Sequence, residues 1–187
     1  MYASSTQGGA SMRRLRMLSS AMLWLITGGA VATVVCMAWI WFGLPDWELG
    51  NIVREITHAD SAVPVSLSLA HRAGGFLSTG IALGLLICAL YQARQMFAAF
   101  GRGEVLTAHT ALRLRGMALA LTALGLSIPL VRLLTGLAMV GSPAEPYWVL
   151  IFTLGDYFVS LLGGLLMAIA WAITEAICIA EENKSFI

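Results

Sequence analysis

Long uncharged apolar runs, separated by short polar stretches, constrain this chain more than any other feature. The first run, residues 21–43, contains no charged side chain, and about 20 consecutive apolar residues are enough for a helix to cross a hydrocarbon core about 30 Å thick. Charged residues make up only 11% of the chain, against about a quarter in soluble domains. This pattern predicts an integral membrane protein.

Four such runs predict an all-α fold, a bundle of four transmembrane helices in a membrane domain over residues 21–182. The helices are expected at residues 21–43, 73–100, 108–140 and 147–182. Small and polar residues early in residues 1–20 predict a disordered cytoplasmic tail, and residues 183–187 form a second cytoplasmic tail. The first run is longer than the apolar core of about 7–15 residues in a cleaved signal peptide, so it predicts an uncleaved anchor.

Basic residues near the predicted helix ends indicate the orientation. Those on one side are Arg13, Arg14, Arg16, Arg94, Arg102, Arg113, Arg115 and Lys184, against Arg54 and Arg72 on the other. Cytoplasmic loops carry an excess of Lys and Arg, so both termini are expected inside the cell. The first loop, residues 44–72, and a short hairpin at residues 141–146 are then outside.

The first loop has a helical pattern of its own. Its larger apolar side chains recur at near-helical spacing: Trp47, Leu49, Ile52, Val53 and Ile56. Spacing of this kind is typical of a helix with one apolar face. It predicts a short amphipathic helix lying on the membrane surface.

Arg132 and Asp156 are the two charges deep within the apolar runs. Counted from the nearer predicted helix ends, they lie ~12 Å and ~13 Å deep at about 1.5 Å per residue. The short hairpin keeps the third and fourth helices together, so the two charges are expected to form an intramembrane ion pair, which would be the best candidate for a functional site. The alternatives are that Arg132 extends to the headgroups and that Asp156 is protonated.

Gly80 and Gly84 form a Gly-x-x-x-Gly motif within the second run. Small residues at this spacing let another helix approach closely. The motif predicts packing inside the bundle, and the alternative is contact with a second copy of the chain.

A polar segment between the second and third runs predicts an interaction surface. Gly101, Arg102 and Gly103 are expected to end the second helix and Thr107 to cap the third. The surface would comprise Arg94, Arg102, Arg113 and Arg115, together with Glu175 beyond the fourth span. Lipid phosphate groups are the alternative partners of these arginines.

The remaining reactive residues do not form a recognisable constellation. The scattered cysteines, Cys36, Cys88 and Cys178, and the histidines, His58, His71 and His109, lack the spacing of a metal or haem site. A net charge of +1 does not suggest nucleic-acid binding. We therefore expect no cofactor, no metal, no nucleic-acid partner and no enzymatic activity.

Residues 90–116 resemble the central signature of the DUF2975 family of bacterial membrane proteins. The matching positions are Leu90, Tyr91, Arg94, Phe97, Gly103, Thr107, Leu112 and Arg113, and Leu106 replaces the usual phenylalanine. Residues 179–187 are similar to the acidic tail of that family. The resemblance implies a four-helix protein of the bacterial cytoplasmic membrane, in a family without an established reaction whose members are often encoded beside small helix-turn-helix regulators.

Two hypotheses about function follow from these features. The first is a non-catalytic accessory, regulatory or sensory protein that acts through contacts with the lipid bilayer, with another membrane protein or small regulator, or with a second copy of itself. The alternative is a protein that handles an ion, a small molecule or a cofactor and uses Arg132 and Asp156.

Overall fold

The computed structural model describes residues 5–57, 67–104, 107–140 and 152–185. This part of the chain contains helices and no strands. The helices are α1 (Ser5–Gly43), α2 (Asp46–Thr57), α3 (Leu69–Gly101), α4 (Ala108–Val140) and α5 (Leu154–Ser185). All except α2 are long and apolar enough to cross a membrane. The predicted all-α, four-helix architecture is confirmed, and the chain is a multi-pass membrane protein.

The first helix extends further toward the N-terminus than the sequence predicted. Residues 5–20 belong to α1, although a disordered tail was expected there. Arginine, leucine and methionine, which are strong helix formers, precede the apolar run. At Ser19, α1 also contacts α3, since the Ser19 hydroxyl donates to the carbonyl of Phe97. Helix propensity and packing together explain why the helix continues.

The fourth spanning helix begins later than predicted. It was expected from residue 147, whereas α5 begins at Leu154 and Thr153 precedes it outside the helix. The predicted hairpin at residues 141–146 lies outside the described residues.

The long helices pack in the order α1, α3, α4 and α5. The two central helices, α3 and α4, pack on each other, while α1 packs on α3 and α5 packs on α4. The two outer helices therefore keep broad apolar surfaces. Their exposed side chains include Trp24, Leu25 and Val35 on α1 and Phe158, Leu161 and Leu165 on α5. In a bilayer such side chains face lipid or other proteins.

Close approach between helices occurs at glycines that the sequence did not single out. A Cβ on Gly125 would lie 2.6 Å from the Ser160 nitrogen, and one on Gly163 would lie 2.5 Å from the Thr122 nitrogen. Neither glycine can gain a side chain without separating α4 from α5. These two positions set the spacing of that helix pair.

The predicted packing role of Gly80 and Gly84 inside the bundle is wrong. A Cβ at either position would meet no atom of the described chain within 4 Å. The glycine of α3 that packs tightly is Gly75, which lies against the ring of Trp41. The motif therefore points away from the helices that pack on α3.

The predicted amphipathic helix exists as α2, but its apolar face packs against protein. Leu49 and Val53 are 0% and 1% exposed and form a core cluster with Trp41 of α1 and Met139 of α4. The opposite face, which includes Trp47, is exposed. α2 thus closes one end of the row of helices, and we call this the α2 end.

At the opposite end, the turn between α3 and α4 follows the predicted chemistry. Gly103 has a φ of 88°, a conformation that suits glycine. The Thr107 hydroxyl accepts from the Thr110 backbone N–H at 3.3 Å, while the Thr110 hydroxyl accepts from the Thr107 N–H at 3.1 Å. The prediction that Thr107 caps α4 is confirmed.

Candidate functional site

Arg132 of α4 and Asp156 of α5 form a buried ion pair. Arg132 Nη1 lies 2.5 Å from Asp156 Oδ2, and Arg132 Nη2 lies 3.1 Å from Oδ1. The side chains are 19% and 4% exposed, respectively. A two-pronged contact of this kind matches the planar guanidinium to the carboxylate and fixes their relative orientation. The structure therefore brings together the two charges that the sequence singled out.

Thr153 completes the cluster and explains why α5 begins where it does. Its backbone N–H donates to Asp156 Oδ2 at 2.9 Å, and its hydroxyl accepts from the Asp156 N–H at 3.4 Å. This reciprocal arrangement is a capping box with aspartate in the third helical position. The same hydroxyl also accepts from Arg132 Nη2 at 3.3 Å. The Asp156 carboxylate thus has two roles: it stabilises the start of α5, and it joins α5 to α4.

Asp156 occupies a different position in its helix from the one that the sequence predicted. Its depth was counted from a helix start at residue 147, whereas Asp156 lies in the first turn of α5. Its carboxylate is at the positive end of the helix dipole, a favourable place for an anion. Arg132 is about eight residues from the end of α4, or ~12 Å at ~1.5 Å per residue. The last turns of α4 therefore extend past the start of α5.

Those last turns of α4 contact α2 and α3. A Cβ on Gly136 would lie 3.8 Å from the Thr57 methyl of α2, and Met139 belongs to the core cluster with Leu49. The buried Thr135 hydroxyl forms a 2.8 Å hydrogen bond with the Ser78 hydroxyl of α3. α4 is consequently joined by polar contacts to both α3 and α5 near the α2 end.

Arg72 has a structural role that the sequence reasoning missed. It was counted only as a basic residue of the first loop, yet it lies inside α3 with its side chain 12% exposed. Its guanidinium donates to the carbonyls of Trp41 at 3.0 Å and Leu44 at 3.2 Å, and its Nη2 lies 2.5 Å from Asp46 Oδ1. The last carbonyls of a helix lack partners within the helix. Arg72 supplies a partner for the Trp41 carbonyl at the end of α1 and for the Leu44 carbonyl just after it, and so ties α1, α2 and α3 together.

The predicted arginine surface lies at the turn between α3 and α4. Arg102 pairs with Glu104 at 3.3 Å, and both side chains are largely exposed. Arg113 donates to Gln92 at 3.1 Å, while Arg94 and Arg115 are exposed. The structure thus brings these four arginines to one end of the protein.

Glu175 does not join this surface through an ion pair. The salt bridges among the described residues do not include it, and its position on α5 is exposed. Arg113 is instead directed toward α3 by its bond to Gln92. The membership of Glu175 in the predicted interaction surface therefore stays a prediction.

The cysteines and histidines show no shared site within the described ranges. Cys36, Cys88 and Cys178 are each free and exposed on different helices. His71 lies 2.5 Å from the Ser68 hydroxyl, and His58 is outside the described residues. No group of three potential metal ligands occurs in this part of the chain.

A cleft between α1, α2 and α3 is a further feature that the sequence did not indicate. Its volume is about 250 Å³. Its walls are mainly apolar: Cys36, Met37, Ile40 and Trp41, with Thr33, from α1, Leu49, Ile52, Val53 and Ile56 from α2, and Thr79 from α3. The cleft adjoins the core cluster at the α2 end, because Trp41, Leu49 and Val53 belong to both.

Comparison with known proteins leaves the family open. No family model matches the chain, and no curated protein or solved structure is significantly similar to it. The resemblance of residues 90–116 to the DUF2975 family therefore stays a prediction.

Proposed function

We propose that this chain is a non-catalytic accessory or regulatory membrane protein that acts by binding another membrane-embedded chain. The observation that carries the proposal is the outward-facing Gly80 and Gly84 surface of α3, where an added Cβ would meet nothing within 4 Å. Glycine loses more conformational freedom on folding than any other residue, so it destabilises the interior of a helix. Small residues on a membrane helix allow close contact with a partner helix, and no described helix uses this pair.

Other side chains extend the same face of α3. Leu77, Ile81 and Cys88 lie three to four residues from these glycines, the spacing of neighbours on one helix face. Each is exposed, Leu77 to 70% and Ile81 to 46%. A shallow groove flanked by larger apolar side chains is the form of a helix-packing surface. We call Leu77, Gly80, Ile81, Gly84 and Cys88 the α3 face.

The Arg132 and Asp156 pair supports this proposal over ion or small-molecule handling. The carboxylate accepts hydrogen bonds from two arginine nitrogens and from the Thr153 backbone. An intramembrane charge that binds a transported species must exchange its partners during transport. Here the same contacts also start α5, so exchange would disturb the helix. The cluster is best explained as a structural ion pair that holds α4 and α5 together.

The test is photo-crosslinking from the α3 face in native membranes. A photoreactive phenylalanine analogue replaces Ile81, and the adducts are resolved by mass and identified. We expect a discrete adduct with one membrane protein, which Gly84→Leu abolishes by filling the groove. The control is Gly164→Leu on α5, a second glycine with nothing within 4 Å of an added Cβ, which leaves the adduct unchanged.

Two results would contradict the proposal. One is an Ile81 probe that reacts with lipid alone, in a sample where the protein is intact in the membrane. The other is an adduct that persists equally in both leucine variants, because the partner would then not use the groove.

A further inference from the structure

We propose that the cleft between α1, α2 and α3 binds one acyl chain of a membrane phospholipid. The site is separate from the α3 face and from the ion pair. It lies between a spanning helix and the short helix that closes the α2 end, and it contains about 250 Å³ of open space. Three properties of the cleft identify the occupant: the chemistry of its walls, its size and its surroundings.

The walls present hydrocarbon, since their polar groups already have partners inside the protein. The Thr33 hydroxyl donates to the Gly29 carbonyl at 2.8 Å. The Thr79 hydroxyl donates to the Gly75 carbonyl at 2.8 Å and accepts from the Trp41 indole N–H at 3.0 Å. A polar ligand would lose its hydrogen bonds to water here without replacing them. An apolar ligand has no hydrogen bonds to lose.

The size of the cleft favours a slender ligand over a whole helix. A helix with its side chains is about 10–12 Å in diameter, too wide to enter a space of about 250 Å³. Sites for drug-sized molecules usually measure about 300–1,000 Å³. A single hydrocarbon chain, by contrast, can lie along a narrow groove. The dimensions therefore argue against a helix of a second copy as the occupant.

The surroundings of the cleft supply that hydrocarbon. The α1 wall lies within the candidate membrane span Met17–Gly43. Its neighbours Val34, Val35 and Trp39 are exposed, so the lipid-facing surface of α1 continues into the cleft. Cys36 and Ile56 line the cleft and are themselves exposed, which places them at its opening. Bilayer acyl chains are thus already in contact with the entrance.

The experiment measures which residues a lipid chain contacts for longest. The full chain is reconstituted in phosphatidylcholine vesicles that contain a trace of phosphatidylcholine with a diazirine on one acyl chain, and adducts are mapped by mass spectrometry after irradiation. We expect enrichment at Ile40, Ile52 and Ile56 over the exposed α5 residues Leu161 and Leu165. A chain held in the cleft stays beside the same residues, whereas free lipid exchanges rapidly.

A matched pair of variants tests whether the cleft itself is responsible. Cys36→Trp places a large ring in the cleft, and Cys178→Trp places the same ring on the exposed surface of α5. We expect the first variant to reduce adducts at Ile52 and Ile56 to the level at Leu161, and the second to leave them unchanged. Ile56→Trp repeats the test from the α2 wall if Cys36→Trp does not fold.

The proposal fails if the wild-type adducts are no more frequent in the cleft than on α5, because the protein would then contact only exchanging lipid. It also fails if both tryptophan variants label like the wild type. Enrichment that persists when the cleft is filled would mean that the label reports surface exposure alone.

Discussion

Asp156 is the residue whose replacement most directly tests the account of the ion pair. Asp156→Ala removes the carboxylate and leaves Arg132 with its side chain 19% exposed and without this anion. It also removes the acceptor for the Thr153 backbone N–H. Both losses are destabilising, because a buried charge loses its counter-ion and the capping box of α5 loses the acceptor for the Thr153 N–H, although the Thr153 hydroxyl remains as the N-cap.

The expected magnitude follows from these two contacts. Removing one partner of a buried ion pair costs about 3–5 kcal/mol, and losing the hydrogen bond from the Thr153 N–H costs about 1 kcal/mol. For a chain of this length, about 1 kcal/mol shifts the unfolding midpoint by about 2–4 °C. The pair alone therefore corresponds to a decrease of about 6–20 °C.

The assay is thermal unfolding in a mild detergent, followed by tryptophan fluorescence. Asp156→Asn separates the two contributions, since the amide oxygen can still accept from Thr153 but carries no charge. We expect Asp156→Asn to be destabilised less than Asp156→Ala. Arg132→Met combined with Asp156→Asn should recover stability relative to Asp156→Asn alone, because no unpaired cation is left.

Exchanging the two charges is expected to restore little of the lost stability. An arginine at position 156 cannot accept from the Thr153 N–H and places a cation at the positive end of the α5 dipole. Arg132→Asp with Asp156→Arg should therefore recover only a small part of the loss. Equal midpoints for wild type, Asp156→Ala and Arg132→Met would refute the reasoning, because the two charges would then contribute nothing to each other.

Three further predictions concern helix packing, the α2 end and the orientation. Gly163→Leu should destabilise the protein by about 1–3 kcal/mol or more, because its Cβ would lie 2.5 Å from the Thr122 nitrogen. Gly164→Leu has open space and should be neutral in the same unfolding assay. Equal effects of the two variants would contradict the described packing of α4 on α5. Arg72→Met should reduce the free energy of unfolding by about 1.5–3 kcal/mol and accelerate hydrogen exchange in α2. Arg115→Met, at an exposed position, should do neither. Unchanged hydrogen exchange in α2 would show that Arg72 does not hold α2 in place. With the native cysteines replaced, an impermeant maleimide should label Asp60→Cys but not Glu104→Cys in intact cells, and the reverse pattern would overturn the predicted orientation.

Local signals in the sequence were sufficient to predict which helices form. Run length predicted the four spanning helices, and apolar spacing predicted α2. The turn after α3 was also predictable, because the positive φ of Gly103 and the cap at Thr107 depend on nearby residues. The start of α5 was missed because Tyr147 and Trp148 extend the apolar run, while the capping box of Thr153 and Asp156 lies within it.

Only the tertiary structure decided which groups meet. Gly80 and Gly84 look like packing glycines in the sequence, yet Gly125 and Gly163 are the ones with backbone against them, since the sequence motif does not say which helix lies opposite. The cleft depends on α2 packing against α4 and beside Trp41 of α1, a long-range arrangement. Arg132 and Asp156 were recognisable in the sequence, because charges in apolar runs need partners. Their joint role at the start of α5 arises from the relative positions of two helices, which hydropathy alone does not encode.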